Sequence, residues 1–133
     1  MKKIKEGSGF IIVKNINGEN KFLSLIVDGK YDIPKGMIEP GESYLEAAVR
    51  ECFEESNIVV LPSDMIWGLD YSYNSSIAIF MARTDQEPKI FPNPNNGMME
   101  HDYAQWMDPM DLYTNCIPYL KKSIMWAIKK IGE

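Results

Sequence analysis

Residues 36–58 read GMIEPGESYLEAAVRECFEESNI, and this stretch decides the fold. Ser43 and Glu46 have the spacing of a capping box, in which each side chain bonds the backbone N–H of the other residue. We therefore predict a helix that begins near Ser43. Apolar residues recur along it at helical spacing and form a stripe that can dock on a core. The stripe consists of Leu45, Ala48, Val49, Cys52 and Phe53.

Three carboxylates share another face of this predicted helix. At 100° per residue, Glu51 lies about 40° from Glu55 and about 60° from Glu54 around the helix axis. Like charges one turn apart repel each other, so the cluster favours a bound cation. Oxygen ligands without His or Cys favour Mg²⁺ or Mn²⁺ over zinc. Arg50 is four residues from both Glu46 and Glu54, and we expect it to pair with these two acids.

The spacing of these residues resembles the Nudix box, Gly-x5-Glu-x7-Arg-Glu-U-x-Glu-Glu-x-Gly-U, in which U is an aliphatic residue. The matching positions are Gly36, Glu42, Arg50, Glu51, Glu54, Glu55 and Ile58. Two positions depart from the pattern. Cys52 replaces an aliphatic residue, and a buried cysteine behaves as a small hydrophobe. Asn57 replaces the closing glycine, and asparagine is the next most tolerant residue of the left-handed conformation wanted at a helix end.

This resemblance implies a fold and a reaction. The fold is α/β (α+β), a Nudix-like α/β/α sandwich with a mixed β-sheet, a catalytic helix and a C-terminal helix. The reaction is hydrolysis of a phosphoanhydride bond in a nucleoside diphosphate derivative, with Mg²⁺ or Mn²⁺ as cofactor. The implied metal ligands are Glu51, Glu54, Glu55 and the carbonyl of Gly36. The implied catalytic residues are Arg50, Glu51, Glu54 and Glu100.

The resemblance implies that a later loop supplies the general base or a further metal ligand. Glu100 lies six residues before Trp106, a placement that resembles the acid-loop-Trp pattern of several family members. Glu87 is the rival carboxylate, and Glu51 on the helix is the third option. A base must come within hydrogen-bond reach of the attacking water, so the position of these acids decides between them.

Two residues beside the acids are candidate substrate contacts. Lys35 precedes Gly36 in the loop that leads into the helix, where its ammonium group can meet a phosphate or brace the carboxylates. His101 is the only histidine in the chain and adjoins Glu100. It can hydrogen-bond a substrate phosphate or base, and an ordinary polar loop residue is the alternative.

Tyr71 and Tyr73 are further candidate substrate contacts. They follow the box at close to the distance of a tyrosine in family members that act on dinucleoside polyphosphates. Aromatic residues at alternating strand positions are also common in cores, so both interpretations stay open. Residues 88–99 are rich in Pro and Asn, and they form a loop that either closes over the substrate or is an uninvolved surface excursion.

The rest of the chain predicts strands and one terminal helix. A third short strand is expected to run into residues 32–34, and the other expected strands are at residues 9–14, 21–27, 58–61, 65–73, 76–82 and 103–107. An Asn-Gly turn joins the first two, and a second hairpin is expected across Asn74 and Ser75. Residues 117–131 predict an amphipathic helix. Its apolar stripe is Leu120, Ile124, Ile128 and Ile131, and its solvated face carries Lys121, Lys122, Lys129 and Lys130.

Length and composition fit one enzyme domain spanning residues 1–133. The hydrophobic share is 45%, and no apolar run approaches the roughly 18 residues of a membrane span. The N-terminus lacks the apolar stretch of a signal peptide, so we expect a cytoplasmic protein in which Cys52 and Cys116 are reduced. The net charge of -5 argues against stable binding to nucleic acid.

The substrate class is left open by the sequence. A dinucleoside polyphosphate such as diadenosine tetraphosphate is one candidate, because Pro-Lys-Gly before Glu-Pro-Gly-Glu resembles that branch of the family. ADP-ribose, nucleoside triphosphates and RNA 5′ ends are the alternatives. A catalytically silent nucleotide sensor is the rival of another class, although the intact Glu51, Glu54 and Glu55 favour an enzyme. The expected partner is a small-molecule nucleotide, and the oligomeric state is open, a homodimer included.

Overall fold

The structure is a computed structural model that describes residues 5–92 and 95–132. Within these residues the chain forms seven strands and three α-helices. The strands are β1 (Gly7–Ile16), β2 (Glu19–Val27), β3 (Lys30–Asp32), β4 (Lys35–Met37), β5 (Ser72–Asn74), β6 (Ile77–Arg83) and β7 (Tyr103–Met107). The helices are α1 (Tyr44–Ser56), α2 (Pro109–Asn115) and α3 (Lys121–Ile131), and 3₁₀ turns lie at Pro62–Asp64 and Pro118–Leu120.

The strands form one mixed sheet in the order β3-β2-β1-β6-β5. The central pair, β1 and β6, is parallel, and the other pairings are antiparallel. Strand β4 pairs with the start of β1, and β7 pairs with β2. The expectation of a mixed sheet with a catalytic and a C-terminal helix is confirmed.

Alternating residues of the central strands face two separate cores, as the two-residue period of a strand requires. Phe10 and Ile12 of β1 point to the side covered by α1, where they pack with Ala48 and Cys52. The intervening residues of β1 and β6 point to the other side and pack against α2 and α3. That second core includes Ile11, Val13, Ile79, Met81, Leu112, Leu120, Ile124 and Ala127. The sheet is therefore sandwiched between helices.

Both predicted hairpins are present. Asn17 and Gly18 turn between β1 and β2 with φ of 53° and 86°, the left-handed values that an Asn-Gly turn supplies. The second hairpin joins β5 to β6, but Ser75 and Ser76 occupy its left-handed positions, one residue later than predicted. Strand β7 agrees with the predicted residues 103–107.

The strands predicted for residues 58–61 and 65–73 are mostly wrong. Only Ser72–Asn74 pairs with the sheet, and a 3₁₀ turn occupies Pro62–Asp64. The backbone groups of this segment bond side chains instead of a neighbouring strand. The Val59 N–H donates to the side-chain oxygen of Gln86, and the Gln86 side-chain N–H donates to the Val59 C=O. The Leu61 N–H donates to the carboxylate of Asp64. β-branched and apolar composition alone therefore misled the prediction, since these side-chain caps replace a neighbouring strand.

The C-terminal region holds a helix that the sequence did not predict. Helix α2 begins at an Asp108 N-cap followed by Pro109, and α3 starts at Lys121 rather than at 117. Lys121 is half-buried instead of solvated, because its Nζ donates to the carbonyls of Tyr113 and Thr114 at the end of α2. No helix in the described part of the chain is long and apolar enough to span a membrane.

Candidate active site

Helix α1 is fixed at both ends by the residues that the sequence singled out. The Ser43 hydroxyl accepts a hydrogen bond from the Glu46 N–H at 3.1 Å, and the Ser43 N–H donates to the Glu46 carboxylate at 2.9 Å. Asn57 ends the helix in the left-handed conformation with φ of 62°. The departure from glycine at this position therefore keeps the helix terminus intact. One residue of the predicted apolar stripe, Phe53, is instead 48% exposed.

The loop before α1 lies directly against the helix through Gly36. A Cβ added to Gly36 would lie 2.1 Å from Cδ of Glu51 and 2.2–2.4 Å from its two carboxylate oxygens. Only glycine lets the β4 backbone come this close to that carboxylate. The contact brings the Gly36 backbone next to the Glu51 carboxylate.

Arg50 connects the loop and the carboxylates of α1. Its Nε and Nη2 each donate at 2.8 Å to the two oxygens of Glu42, and its Nη1 donates to Glu51 at 2.8 Å and to Glu54 at 3.2 Å. The expected pairing with Glu46 does not form, because that side chain caps the helix. Hydrogen bonds from Arg50, followed by one from the Glu39 backbone, lower the pKa of Glu42 to about 2.

The carboxylates of α1 are crowded and partly desolvated. Glu55 accepts a hydrogen bond from the Lys35 N–H at 3.0 Å. Burial, reinforced by the charges of Glu51 and Asp32, nevertheless raises the pKa of Glu55 to about 9. Burial also raises the pKa of Glu51, whose side chain is 13% exposed. Such a set of buried oxygen donors without enough positive charge fits a hard divalent cation.

These carboxylates line a cleft of about 220 Å³. Helix α1 contributes Arg50, Glu51, Glu54 and Glu55 to its wall. The opposite wall comes from the segment before β7, which contributes Ile90, Phe91, Asn95, Glu100 and His101. The structure therefore brings together six of the residues predicted for the site from two distant parts of the sequence. Asn93 and Pro94 of the loop at residues 88–99, for which covering the substrate was one of two alternatives, lie outside the described residues.

The two rival loop carboxylates occupy different places. Glu100 lines the cleft beside His101. Glu87 is not among the residues that line it; its carboxylate pairs with the ammonium group of Lys14 and accepts a hydrogen bond from the indole N–H of Trp106 at 3.1 Å. These bonds lower the pKa of Glu87 and keep its carboxylate engaged away from the cleft.

A buried carboxylate that the sequence reading missed lies behind the cleft. Asp32 is 8% exposed, bonds the N–H of Ile33 at 2.8 Å, and is 3.2 Å from Nζ of Lys35. Its Oδ2 also lies 3.7 Å from Nε2 of His101, which is 6% exposed. The Lys35 side chain thus braces Asp32 rather than the acids of α1. An acidic residue at the end of a short strand, just before the Pro-Lys-Gly loop, was the available signal.

Tyr71 and Tyr73 are not among the residues that line the acidic cleft. They pack around Tyr44 at the start of α1, with ring centroids 5.5 Å and 6.0 Å from its ring. The hydroxyls of Tyr44 and Tyr73 both donate to the same oxygen of Glu6. Each of the two predicted tyrosines is about half exposed, so a role in binding substrate stays a prediction for them.

The chain matches one known protein family over most of its length. A family model described as the NUDIX domain matches residues 6–127. The chain belongs to the NUDIX family, and the match, together with the hydrolase relative below, supports a hydrolase that acts on phosphoanhydride substrates.

Individual relatives add detail. The chain is 26% identical over 113 residues to the asymmetrical bis(5′-nucleosyl)-tetraphosphatase of Caenorhabditis elegans, covering 77% of each chain. A binary complex of C. elegans Ap4A hydrolase superposes with a TM-score of 0.71 at 18% identity, covering 98% of this chain and 100% of that one. The NUDIX domain of Shewanella oneidensis NrtR, complexed with ADP ribose, superposes with a TM-score of 0.72 at 14% identity, covering 98% and 90%.

Proposed function

We propose that the chain is a divalent-metal-dependent pyrophosphohydrolase of nucleoside diphosphate derivatives. One observation carries the proposal: Glu51, Glu54 and Glu55 of α1 meet Glu100 and His101 of the opposite wall in a single cleft. A silent nucleotide sensor has no need for this many intact acids, and their mutual repulsion would destabilise it. An enzyme that holds cations and phosphates needs them.

The residues present fit the metal that the family uses. Glu51, Glu54, Glu55 and the Gly36 carbonyl would hold Mg²⁺ or Mn²⁺. When bound, the metal neutralises the charge of the diphosphate and lowers the pKa of the attacking water. The raised pKa of Glu55 is consistent with a site that receives positive charge.

Arg50 and Glu100 have separate roles in the proposed reaction. Arg50 holds Glu51, Glu54 and Glu42 in place through four hydrogen bonds, so the carboxylates keep one geometry. Glu100 lines the cleft, and we assign to it the role of taking a proton from the attacking water. The water then adds to one phosphorus of the anhydride, and the bond to the bridging oxygen breaks to release two phosphorylated products.

Diadenosine tetraphosphate is the first substrate we propose. The support is the 26% identity to an asymmetrical bis(5′-nucleosyl)-tetraphosphatase over 77% of both chains. ADP-ribose is the second candidate, because a NUDIX domain of the same fold was solved as a complex with it. Tyr71 and Tyr73 are proposed as contacts for a nucleobase, and Lys35 and His101 as contacts for a substrate phosphate.

The test is a substrate screen in Mg²⁺ or Mn²⁺ with separation of the products. Asymmetrical hydrolysis of diadenosine tetraphosphate adds one water and gives ATP and AMP, whereas symmetrical hydrolysis gives two ADP. We expect ATP and AMP. Preferential release of AMP and ribose 5-phosphate from ADP-ribose would replace the first candidate by the second. Binding of both compounds without any product would contradict the enzyme assignment.

A further inference from the structure

The wall opposite α1 supplies a buried nitrogen donor to a site that otherwise consists of oxygens. His101 is 6% exposed, and its ring lines the cleft with Glu55 and Glu100. Ligand atoms of Glu55, Glu100 and His101 all lie within 4.8 Å of one another. One cation can be reached by all three side chains after small rotations. The expectation of an all-oxygen metal site considered only the carboxylates of α1, and His101 adds a nitrogen donor from the opposite wall.

A carboxylate stands behind the imidazole. Oδ2 of Asp32 lies 3.7 Å from Nε2 of His101. A carboxylate beside one ring nitrogen favours the tautomer with the proton on that nitrogen, so the lone pair is on the other, Nδ1. Carboxylate partners of this kind orient metal-bound histidines and raise their basicity.

Asp32 is itself held rigidly, which suits this orienting role. It is 8% exposed, accepts from the Ile33 N–H at 2.8 Å, and lies 3.2 Å from the ammonium group of Lys35. Lys35 already supplies a positive charge to Asp32. The carboxylate beside the imidazole is therefore fixed in place and compensated by the charge of Lys35.

We propose that His101 is a nitrogen ligand of the divalent metal that Glu55 binds, and that Asp32 positions its ring. This inference rests on the proposed metal-dependent hydrolase. Imidazole suits transition metals, whereas Mg²⁺ prefers oxygen ligands and keeps much of its water. The site consequently selects Mn²⁺ over Mg²⁺, and His101 is the residue that makes the difference.

The direct test uses electron spin-echo spectroscopy of the Mn²⁺-loaded protein, prepared without a histidine tag. His101 is the only histidine in the chain, so a ¹⁴N imidazole coupling to bound Mn²⁺ can come from no other side chain of that type. We expect this coupling in the parent and its loss in His101→Gln. A bound Mn²⁺ without imidazole coupling in the parent overturns the inference, and this result does not depend on the folding of any variant.

Metal titrations give the second readout. We expect His101→Gln to raise the Kd for Mn²⁺ about 10-fold or more and to change the Kd for Mg²⁺ by less than about threefold. Asp32→Asn should raise the Kd for Mn²⁺ by about 10-fold while the ¹⁴N coupling persists in altered form. Glu87→Gln, outside the cleft, is the matched control and should match the parent. Equal losses for the two metals in His101→Gln would contradict the proposed selectivity.

Failure of this inference and failure of the proposed function give different results. Hydrolysis supported by Mn²⁺ in a parent that lacks imidazole coupling would preserve the enzyme and remove His101 from the metal. Imidazole coupling in a protein that hydrolyses no nucleotide would preserve the ligand and remove the reaction.

Discussion

At the scale of single residues, the position of the Glu51 carboxylate depends on its contact with Gly36. A methyl group at Gly36 would overlap the Glu51 carboxylate at 2.1–2.4 Å. Gly36 does not have a positive φ, so the substitution to alanine acts through this contact alone and not through backbone strain. The clashing atoms are the end of a flexible side chain, which can rotate away at modest cost.

We predict that Gly36→Ala lowers kcat by about 10² or more, because a displacement of about 1 Å in a catalytic group can cost that much. The free energy of unfolding should fall by only about 1 kcal/mol. Steady-state kinetics and denaturant unfolding measure both quantities. Gly132→Ala is the control, because its added Cβ would have no neighbour nearer than 3.7 Å. Parent-like turnover in Gly36→Ala would show that the Glu51 position is unimportant.

The loop carboxylates give a second prediction at this scale. Glu100→Gln should lower kcat by about 10² to 10⁴ with KM near the parent value, since proton transfer is made in the transition state. Glu87→Gln should stay within a few-fold of the parent, because that carboxylate pairs with Lys14 and Trp106 away from the cleft. A large loss of kcat in Glu87→Gln but not in Glu100→Gln would assign the role of the base to Glu87. A kcat near the parent value in both variants would leave Glu51 as the base.

The residues of the site were predictable to the extent that they belong to one local motif. Glu51, Glu54, Glu55 and Arg50 sit on one helix, so their angular spacing could be read from sequence. The contact of Asp32 with His101 could not be read from sequence, because it joins β3 to the segment before β7 and the two residues are 69 positions apart. The pairing of Glu46 was misjudged because the helix cap competes for the same carboxylate.

Among the elements, local turn chemistry was a better guide than composition. Asn17 and Gly18 impose a hairpin by themselves, and β1 and β2 follow from it. Residues 58–73 have strand-like composition, yet the side chains of Gln86 and Asp64 take up their backbone groups. Those partners are fixed only when the fold is complete, so a sequence window cannot reveal them. Helix α2 was missed because seven residues are too few to display a clear helical period.

The end of α1 gives a prediction at the scale of the element. Asn57 has φ of 62°, so Asn57→Gly should retain activity and change the free energy of unfolding by less than about 1 kcal/mol. Asn57→Val should cost about 1–2 kcal/mol more, because a β-branched residue is strained in the left-handed region. Chemical denaturation and turnover measure the two effects. A large loss of turnover in Asn57→Gly would show that asparagine has a functional role.

The whole molecule is one sheet covered by helices on both faces, and the two helical layers have different roles. Helices α2 and α3 complete the second core, and α1 completes the first while it presents the acids on its other face. The repulsion among those crowded acids lowers the free energy of unfolding of the entire fold. Positive charge bound in the cleft should therefore stabilise the protein as a whole.

Chelator-treated protein should lose stability as pH rises. The folded-state pKa of Glu55 is about 9 and its ordinary value is 4.5, so between these values the folded state holds a proton that the unfolded state has released. Raising the pH then favours unfolding, by up to about 1.4 kcal/mol per pH unit from this group. Urea denaturation between pH 5 and pH 9 should show this slope in the parent and a flatter one in Glu55→Gln. Identical slopes in the two proteins would contradict the assigned burial of that carboxylate.

The most direct test of the central claim is hydrolysis of diadenosine tetraphosphate by the parent and by Glu54→Gln and Glu55→Gln, with and without Mn²⁺. We predict ATP and AMP from the parent only when the metal is present. Each variant should turn over about 10² more slowly or worse, because a charged metal ligand is lost, while both remain folded. Metal-independent hydrolysis by the parent, or parent-like turnover in both folded variants, would contradict the account.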